Sequence, residues 1–538
     1  KFTVPANTPI SLQPLDADGQ ALAVMRSWLT AMPGEVLSCV GCHEDRNMAP
    51  PARRTIASTS PSSPLEPWRP YVAGFSFDRE VQPVLDRRCI ACHDGVTAKP
   101  DLRKGAMVNY HPRYAGARGG TVSQSYINIF PYSRAYGIEG DYHLLSPMEF
   151  HFSTSELGQM LIKGHHGVDL TPAQRDALVV WSDLNRPYHG SWSSIGWKGA
   201  NIPALEGNRA HLREQYAGVS ENHEEVPPEP EPVEPVRPSP LEPIENPEIE
   251  LAGWPFAASA SPASPLEVDG YAIAMMNIPA GEFVMGNPGG HRDEQPATRV
   301  VIDKPFRMAT YEVSNELYRK FNPAHDSKVA DMLSYQFGQR FWSLNEAHQP
   351  VCRVSFRDAL AFCQWLSKKT GKTVTLPTEA QWEWAARAGT ANAAPFADYG
   401  RHANTADLQM QRFYADTAHE SYHGIAIKSN PTVYEMYFLH DPSVDDGQQL
   451  SARSGTYPAN AFGLHDMHGN VAEWTRSRYL AYPYTDSDGR NDDSLPGKRI
   501  ARGGSWWHLP THCTSSQRLV YDDYQPVMWV GFRMVIEE

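Results

Sequence analysis

The sequence has 538 residues, of which 41% are hydrophobic and 20% are charged, so it describes a globular protein with more than one domain. Its formal net charge is -14 and it has no block rich in Lys and Arg, which argues against nucleic acid as a partner. No apolar run approaches the length that spans a bilayer, so the sequence predicts no transmembrane segment.

Residues 1–19 read KFTVPANTPISLQPLDADG and lack the basic start and apolar stretch of a secretion signal. They are typical of an extended segment with turns. Two explanations are open: a signal has been removed, or the sequence is the C-terminal part of a longer chain. We favour the second, because the sequence opens directly on strand-like residues.

Four of the seven cysteines lie in two motifs of the pattern Cys-x-x-Cys-His. The motifs are CVGCH, with Cys39, Cys42 and His43, and CIACH, with Cys89, Cys92 and His93. In c-type haem attachment, two thiols one helical turn apart form thioethers to the haem, and the next imidazole binds the iron. The alternatives are a redox dithiol, a zinc half-site and chance. Two chance matches among seven cysteines can be dismissed, and a zinc site does not need the histidine that follows both pairs. The motifs therefore predict two covalent haems.

The sequence before the second motif, FSFDREVQPVLDRRC, has Phe77, Val81, Val84 and Leu85 at helical spacing. This pattern predicts a short amphipathic helix that ends at Cys89.

The sequence offers several candidates for the sixth ligand of each haem iron. Downstream histidines that qualify are His111, His143, His151, His165 and His166. We expect His165, ahead of His166, to bind the second haem iron, because a turn between two helices holds an imidazole rigidly. A pair of surface histidines is the alternative. For the first haem, the candidates are Met48 or an open position, and an open position would indicate chemistry rather than electron transfer.

The turn that carries these histidines is flanked by two predicted helices. Ser155 caps the first, whose Leu157, Met160 and Leu161 are expected to face inward, and Gly164 ends it. Thr171 caps the second, with Pro172 at its first position.

The phrases SCVGCHEDRNMAPP, SFDREVQPVLDRRCIACHDG and GHHGVDLTPAQRDALVVWSDLNRPYHGSW resemble the C-terminal dihaem region of proteins related to the hydrazine synthase alpha subunit. The resemblance covers about residues 1–195. It implies a preceding β-propeller, an electron-transfer haem with His93 and His165 as ligands, and a reactive haem at His43. The family's reactive haem depends on a tyrosine one turn after the motif, whereas residues 44–48 here contain none. Hydrazine synthesis is therefore not expected.

Residues 223–250 read HEEVPPEPEPVEPVRPSPLEPIENPEIE. Proline at nearly every second or third position excludes helix and sheet interior, and the glutamates repel one another. We interpret this stretch as an extended spacer at a domain boundary. A Pro-rich peptide that recruits a partner is the alternative.

The second half has clear helix boundaries. Ser355 and Gly371 delimit one helix, and Thr378 with Gln381 forms a capping box for another that Gly389 ends. Gly-, Asn- and Trp-rich stretches separate and follow these helices.

The phrases IPAGEFVMGN, YEVSNELYRKF, LPTEAQWEWAARAG, NAFGLHDMHGNVAEWT, RIARGGSWW and VGFRMV resemble, in order, the formylglycine-generating enzyme (sulfatase-modifying factor) family. The resemblance runs from about Asn277 to Val535. The sequence thus predicts a multidomain protein. Its parts are a mainly α, cytochrome c-like dihaem region (1–222), a Pro/Glu-rich linker (223–250) and an α+β, loop-rich formylglycine-generating-enzyme domain with a C-type-lectin-like fold (251–538).

This second resemblance implies two calcium sites. The first would use the Asp466 and Glu473 carboxylates with the Gly469 and Val471 carbonyls. The second would use the Asn404 and Asp446 side chains with the Thr405 and Gln448 carbonyls. Solvated acidic loops are the alternative for both.

Catalytic members of the family hold copper(I) between two cysteines, three and eight residues after the serine of RGGS. In this sequence those positions are His508 and Cys513. Because linear copper(I) binding there relies on two thiolates, we do not expect copper-dependent catalysis, although a His/Cys pair leaves copper or zinc binding open. Cys352 and Cys363 are predicted to be unreactive core residues.

The leading functional prediction is an extracytoplasmic dihaem cytochrome, periplasmic or extracellular, because c-type haems are attached outside the cytoplasm. It would transfer electrons or perform redox chemistry at a haem, and its second half would serve binding or structure. Expected partners are other redox proteins or cytochromes and an upstream β-propeller region or subunit. The alternatives are a copper-dependent protein-modifying oxidase and a structural cytochrome subunit of a larger complex.

Overall fold

A computed structural model of the chain describes most of both halves. The described residues are 1–23, 28–37, 59–71, 73–109, 121–133, 147–191, 193–195, 202–218, 220, 227–250, 259–330, 342–410, 412 and 439–537. They divide into two compact units. The first contains the described residues up to 133 and from 166 to 239, and the second contains 147–165 and everything from 240 onward. The stretch 147–165, from the middle of the first half of the sequence, thus belongs to the second unit.

Nine α-helices lie in these described ranges. They are α1 (Phe77–Glu80), α2 (Gln82–Arg88), α3 (Gln124–Ser133), α4 (Glu156–Lys163), α5 (Pro172–Asp183), α6 (Ile202–Ala217), α7 (Asn315–Phe321), α8 (Phe356–Thr370) and α9 (Glu379–Arg387). None of the helices in this part of the chain is long and apolar enough to cross a membrane.

The strands are short, and nearly all lie in the second unit. They are β1 (Met107–Asn109), β2 (Thr121–Ser123), β3 (Ser261–Val268), β4 (Tyr271–Ile278), β5 (Gly281–Met285), β6 (Thr298–Ile302), β7 (Phe306–Ala309), β8 (Val329–Ala330), β9 (Trp342–Ser343), β10 (Thr373–Thr375), β11 (Ala472–Arg478), β12 (Lys498–Arg502), β13 (Arg518–Asp522), β14 (Val530–Gly531) and β15 (Val535–Glu537). An antiparallel sheet has the order β10-β15-β7-β4-β3, and a second has the order β13-β12-β11-β14, with β11 and β14 parallel.

The described part of the first unit contains the helices α1, α2, α3, α5 and α6 and the antiparallel pair β1-β2, separated by long irregular stretches. The predicted helix before Cys89 is confirmed as α1 and α2, because Phe77, Val81, Val84 and Leu85 are all buried. Helix α5 begins at the predicted cap, where the Thr171 hydroxyl accepts from the Gln174 backbone N–H and the Gln174 side chain accepts in return. Aromatic rings from α1, α3 and α5 pack together in its core.

The second unit combines sheets, helices and long loops, as predicted for this half. One cluster of buried apolar side chains gathers Trp382 and Trp384 of α9 with residues of the flanking strands and loops. Helix α8 has the predicted cap at Ser355 and ends at Gly371, which has φ +67°. Helix α9 has the predicted capping box but ends one residue early, with Ala388 in the left-handed conformation.

Helix α4 was expected to face inward with Leu157, Met160 and Leu161, and this was wrong. Its buried residues are Gly158 and Gln159, whereas the three apolar side chains are half-buried. The predicted boundaries hold: the Ser155 hydroxyl accepts from the Gly158 backbone N–H, and Gly164 ends the helix at φ +81°. The buried face of α4 differs from the predicted one because Gln159 makes hydrogen bonds to residues far away in the sequence. The spacing of apolar residues along the helix does not reveal such contacts.

Residues 227–250 contain no helix or strand, in line with an extended Pro-rich segment. Residues of this segment nevertheless make hydrogen bonds to the unit to which each belongs. Within the first unit, Val236 N donates to Arg87 O at 2.8 Å, and Arg237 donates to Ala91 O at 2.8 Å. Within the second unit, the Asn246 side chain accepts from Ala297 N at 2.8 Å.

Candidate functional site

The second Cys-x-x-Cys-His motif forms a compact turn at the end of α2. Cys89 follows the helix, and the backbone N–H groups of Cys92 and His93 donate to Cys89 O at 3.1 and 2.9 Å. Both thiols are free and half-buried. Burial raises the pKa of the Cys89 thiol to about 12, so the group is protonated at neutral pH.

The ring of His93 has a defined hydrogen bond. Its Nδ1 lies 3.1 Å from the Pro100 carbonyl oxygen. Since a carbonyl only accepts, the hydrogen is on Nδ1 and the lone pair is on Nε2. This tautomer is the one that binds a metal through Nε2, with the other nitrogen oriented by an acceptor. Two free thiols one turn apart and an imidazole in this form fit a covalent haem.

The first motif cannot be described in the same way. Cys39, Cys42, His43 and Met48 lie outside the described residues, as do His111 and His143. Their predicted roles remain predictions.

The two predicted sixth ligands of the second haem follow the end of α4. His165 and His166 are in a short 3-10 turn, His165–Gly167, directly after Gly164. His165 is half-buried and belongs to the second unit, whereas His166 is exposed, belongs to the first unit and has φ +46°. His151, another candidate, is buried, and its Nδ1 pairs with the Ser153 hydroxyl at 2.7 Å.

The first predicted calcium set lies in the loop before β11 and on that strand. Asp466 Oδ2 accepts from Gly455 N at 2.6 Å, but Oδ1 is buried without a hydrogen-bond partner. The Glu473 carboxylate accepts from Arg533, at 2.6 to 2.8 Å, and from Trp382 Nε1 at 2.7 Å. A buried oxygen without a partner is costly unless a cation or water meets it, so Asp466 Oδ1 fits a ligand to a hard cation.

A third carboxylate, which sequence reasoning missed, is buried beside this set. Glu312 accepts from Asn470 Nδ2 at 3.0 Å and from the Ser454 hydroxyl at 2.6 Å. Burial, together with Asp466 and Glu473, raises the pKa of Glu312 well above its ordinary value, and burial raises that of Asp466 to about 6. One arginine thus faces three buried acids, an excess of negative charge that suits a cation.

The second predicted calcium set shows the same feature. Asn404 Nδ2 donates to Leu450 O at 2.8 Å, yet Asn404 Oδ1 is buried without a partner. Asp446 accepts from the backbone N–H groups of Thr405 and Gln448 at 2.7 and 2.8 Å. Burial and the neighbouring Asp407 raise the pKa of Asp446 to about 8.

The loops of the two sets are hydrogen-bonded to each other through Asn404 and Asn470. Asn470 N donates to Asn404 O at 2.9 Å, next to the bridge between Asn404 and Gly469. Within the described ranges, no three His, Cys, Asp or Glu side chains converge on a point that would hold a metal. A cation in the first set would therefore need backbone carbonyls besides the carboxylates, and a cation in the second set would also need the Asn404 amide oxygen. Calcium binds such mixtures of oxygen ligands.

Cys513 and His508 are both buried beside Ser505. Cys513 is fully buried, its Sγ lies 3.7 Å from Ser505 O, and burial raises the pKa of the thiol. The His508 Nδ1 pairs with the Ser505 hydroxyl at 2.7 Å, and burial lowers its pKa to about 3. One imidazole and one thiol therefore stand at the two positions where linear copper(I) binding would use two thiolates. The other predicted core thiols, Cys352 and Cys363, are also buried.

Sequence reasoning missed two residues that lie near His512, Glu156 at the start of α4 and His291. Glu156 Oε2 lies 3.7 Å from His512 Nδ1, and the His512 ring lies 6.2 Å from that of His291. Burial would raise the pKa of Glu156, but the charges of His512 and Lys163 hold it below its ordinary value. No local sequence signal links residue 156 to residue 512.

The model of the sulfatase-modifying factor enzyme 1-like domain matches residues 263–538, which is more than half of the chain. The chain belongs to this family. We call the matched region the FGE-like domain. A second family model, the hydrazine synthase alpha subunit middle domain, matches residues 1–44, which confirms the resemblance to that subunit over this stretch.

Relatives of the FGE-like domain include proteins named formylglycine-generating enzyme and others named inactive. The mouse formylglycine-generating enzyme is 29% identical over 282 residues, covering 44% of this chain and 68% of its own. The bovine inactive C-alpha-formylglycine-generating enzyme 2 is 27% identical over 279 residues, covering 44% and 78%. Among solved structures, PvdO from Pseudomonas aeruginosa is 26% identical and covers 50% of this chain and 95% of its own, with a TM-score of 0.36.

Proposed function

We propose that the chain is an extracytoplasmic dihaem c-type cytochrome whose FGE-like domain serves binding and structure. The observation that carries the proposal is the arrangement at the end of α2. There, two free thiols one turn apart precede an imidazole whose Nδ1 is held by a carbonyl. The same five-residue pattern recurs at Cys39 to His43.

Each motif has a distinct task in this proposal. When bound, a c-type haem supplies one-electron transfer, and it reacts with small molecules if its sixth position is open. The chain would contribute the thiols that fix the group, the His93 tautomer that presents Nε2, and the His165 imidazole that closes the second haem. At the first motif, Met48 or an open position decides between electron transfer and chemistry.

The FGE-like domain would not perform copper-dependent oxidation. His508 stands where a second thiolate is needed, and Cys513 is sealed in the core as a thiol. Calcium would instead be the domain's metal. Two oxygens support this, Asp466 Oδ1 and Asn404 Oδ1, because each is buried without a hydrogen-bond partner.

The proposed setting follows from the haem chemistry. In families with this motif, haem is attached outside the cytoplasm, so we propose a periplasmic or extracellular location. The proposed partners are other redox proteins or cytochromes, with a β-propeller region or subunit on the upstream side.

The test of the proposed roles is the absorption and EPR spectrum of the oxidised protein, repeated after reduction under carbon monoxide. Two low-spin haems that ignore carbon monoxide would mean that both irons are fully ligated and that the protein transfers electrons. One high-spin haem that binds carbon monoxide would assign chemistry to the haem at His43. A spectrum without haem would refute the proposal.

A further inference from the structure

Asn470 lies between the two predicted calcium sets and contacts both. Its surface is 0% exposed, and it stands between Gly469 and Val471, whose carbonyls were predicted as ligands of the first set. Asn470 and the residues of both sets all belong to the second compact unit.

The backbone and the side chain of Asn470 both bind Asn404 of the second set. Asn470 N donates to Asn404 O at 2.9 Å, and Asn404 Nδ2 donates to Asn470 Oδ1 at 3.1 Å. The Asn404 amide is planar, so a bond to its Nδ2 also sets the direction of its Oδ1. This Oδ1 is one of the two buried oxygens without a hydrogen-bond partner in the predicted calcium sets, and Asn470 therefore orients it.

The other end of the same side chain binds beside the first set. Asn470 Nδ2 donates to the two carboxylate oxygens of Glu312, at 3.0 and 3.1 Å. Glu312 also accepts from the Ser454 hydroxyl at 2.6 Å, and the next residue, Gly455, donates its N–H to Asp466 Oδ2 at 2.6 Å. These bonds connect Asn470 to the Asp466 carboxylate, whose Oδ1 is buried without a partner.

The backbone beside Asn470 packs closely against Asn404. Gly469 has φ +77°, and a Cβ at this position would lie 2.2 Å from Asn404 O, so only glycine permits the approach. Asn470 itself has φ +56°, a conformation that asparagine tolerates better than most residues. Hydrogen bonds and close packing thus hold residues 469–471 and Asn404 together, so that a shift of one displaces the other.

A cation in either set would therefore order groups that the other set uses. Binding at the first set would fix the Gly469 and Val471 carbonyls, and with them the peptide that holds Asn404. Binding at the second set would fix the Asn404 amide, and with it Asn470. Ordering these groups costs conformational entropy, which the second ion would no longer need to offset in full.

We propose that Asn470 couples the two sets, so that calcium binds to them with positive cooperativity. The inference rests on the proposed function, in which calcium is the metal of the FGE-like domain. Asn470 is a positioning residue here, since its side chain holds Asn404 and Glu312 and is not a ligand itself. Coupling between sites is reciprocal, so an ion in either set raises the affinity of the other set by the same factor.

The experiment is a calorimetric calcium titration of the full-length protein after treatment with a chelator. Asp446→Asn removes a carboxylate from the second set and Asp466→Asn removes one from the first, so each variant retains one intact set. The wild type gives two binding constants and each variant gives one. If the sets are independent, the product of the two wild-type constants equals the product of the two variant constants.

We expect the wild-type product to exceed the variant product about tenfold, a factor usual for coupled sites. Asn470→Gly tolerates the positive φ and removes the side-chain contacts to both sets. When the same two variants are made in this background, the excess should fall to about twofold or less. The charge lost in each site variant is the same in both backgrounds, so the difference reports the coupling through Asn470.

Asn185→Gly is the matched control, because Asn185 also has a positive φ, +63°, and lies in the first unit. In its background the tenfold excess should remain. If Asn470→Gly does not fold, Asn470→Asp is measured instead, since it keeps the acceptor for Asn404 and loses the donor to Glu312.

The inference is overturned if the wild-type and variant products are equal, or if a folded Asn470→Gly or Asn470→Asp protein keeps the full excess. It is also overturned if the wild type binds only one calcium ion. Failure of the proposed calcium role is a different result: the chelator-treated wild type would bind no calcium at all.

Discussion

Asp446 gives the sharpest prediction about the FGE-like domain, because the residue is buried and its carboxylate lies beside that of Asp407. Burial and that neighbour raise the pKa of Asp446 from 3.8 to about 8, and burial raises that of Asp407 to about 6. In this account calcium neutralises the site when it is bound. When calcium is removed with a chelator, ionisation of the two buried carboxylates should therefore lower the free energy of unfolding.

The direction and the size of this change in stability with pH follow from proton linkage. The folded state binds the Asp446 proton more tightly than the unfolded state, so the calcium-free protein loses stability as pH rises from about 4 to about 8. Each unit of pKa difference is worth about 1.4 kcal/mol, so the full loss is about 6 kcal/mol. Between about pH 5 and about pH 8 the expected loss is about 4 kcal/mol, a large share of the roughly 5–15 kcal/mol that stabilises a domain.

The assay is urea unfolding followed by far-UV circular dichroism at both pH values, with calcium or with a chelator. We expect a steep fall with pH in chelator, a small one in calcium, and a much smaller fall in chelated Asp446→Asn, where only Asp407 still ionises. The reasoning is refuted if the chelated wild type is equally stable at both pH values. It is equally refuted if calcium stabilises Asp446→Asn as much as the wild type.

Three further predictions concern other parts of the chain. Glu383→Gln removes the charge opposite the fully buried Arg502, so the free energy of unfolding should fall by about 3–5 kcal/mol in urea titration; a loss under 1 kcal/mol would contradict it. Cys513 should react with iodoacetamide only on unfolding, since it is buried with a raised pKa; labelling of the native protein at the rate of a free thiol would disagree. Thr171→Ala should destabilise α5 by about 1 kcal/mol in thermal unfolding, because the cap to Gln174 N is lost, with haem content unchanged.

Local signals in the sequence predicted local features correctly. The caps at Ser155, Thr171, Ser355 and Thr378 were all found, because a cap depends on residues three positions apart. The helix before Cys89 was found for a similar reason, since its apolar spacing repeats over two turns.

Long-range features were missed. Nothing in the sequence around Gln159 indicates that its amide pairs with Val520, which lies 361 residues further along the chain. The apolar pattern of α4 instead suggested a face built from Leu157, Met160 and Leu161. The hydrogen bonds between Gln159 and the peptide group of Val520 on β13 determine the buried face of α4 instead.

The candidate metal residues were predicted only in part. The family's spacing pointed to Asp466 and Asn404, and both have a buried oxygen without a partner. It did not point to Glu312, which joins the first set from the loop before α7, 154 residues earlier than Asp466. The stretch ANTAD did contain Asp407, but only the fold brings its carboxylate to Asp446.

The central claim is that the chain carries covalent haem at both Cys-x-x-Cys-His motifs. The most direct measurement is the intact mass of the purified, denatured native protein, alongside a variant with Cys89→Ala and Cys92→Ala. The account predicts the mass of two haem groups on the native chain and of one on the variant. A native mass equal to that of the bare polypeptide would contradict it.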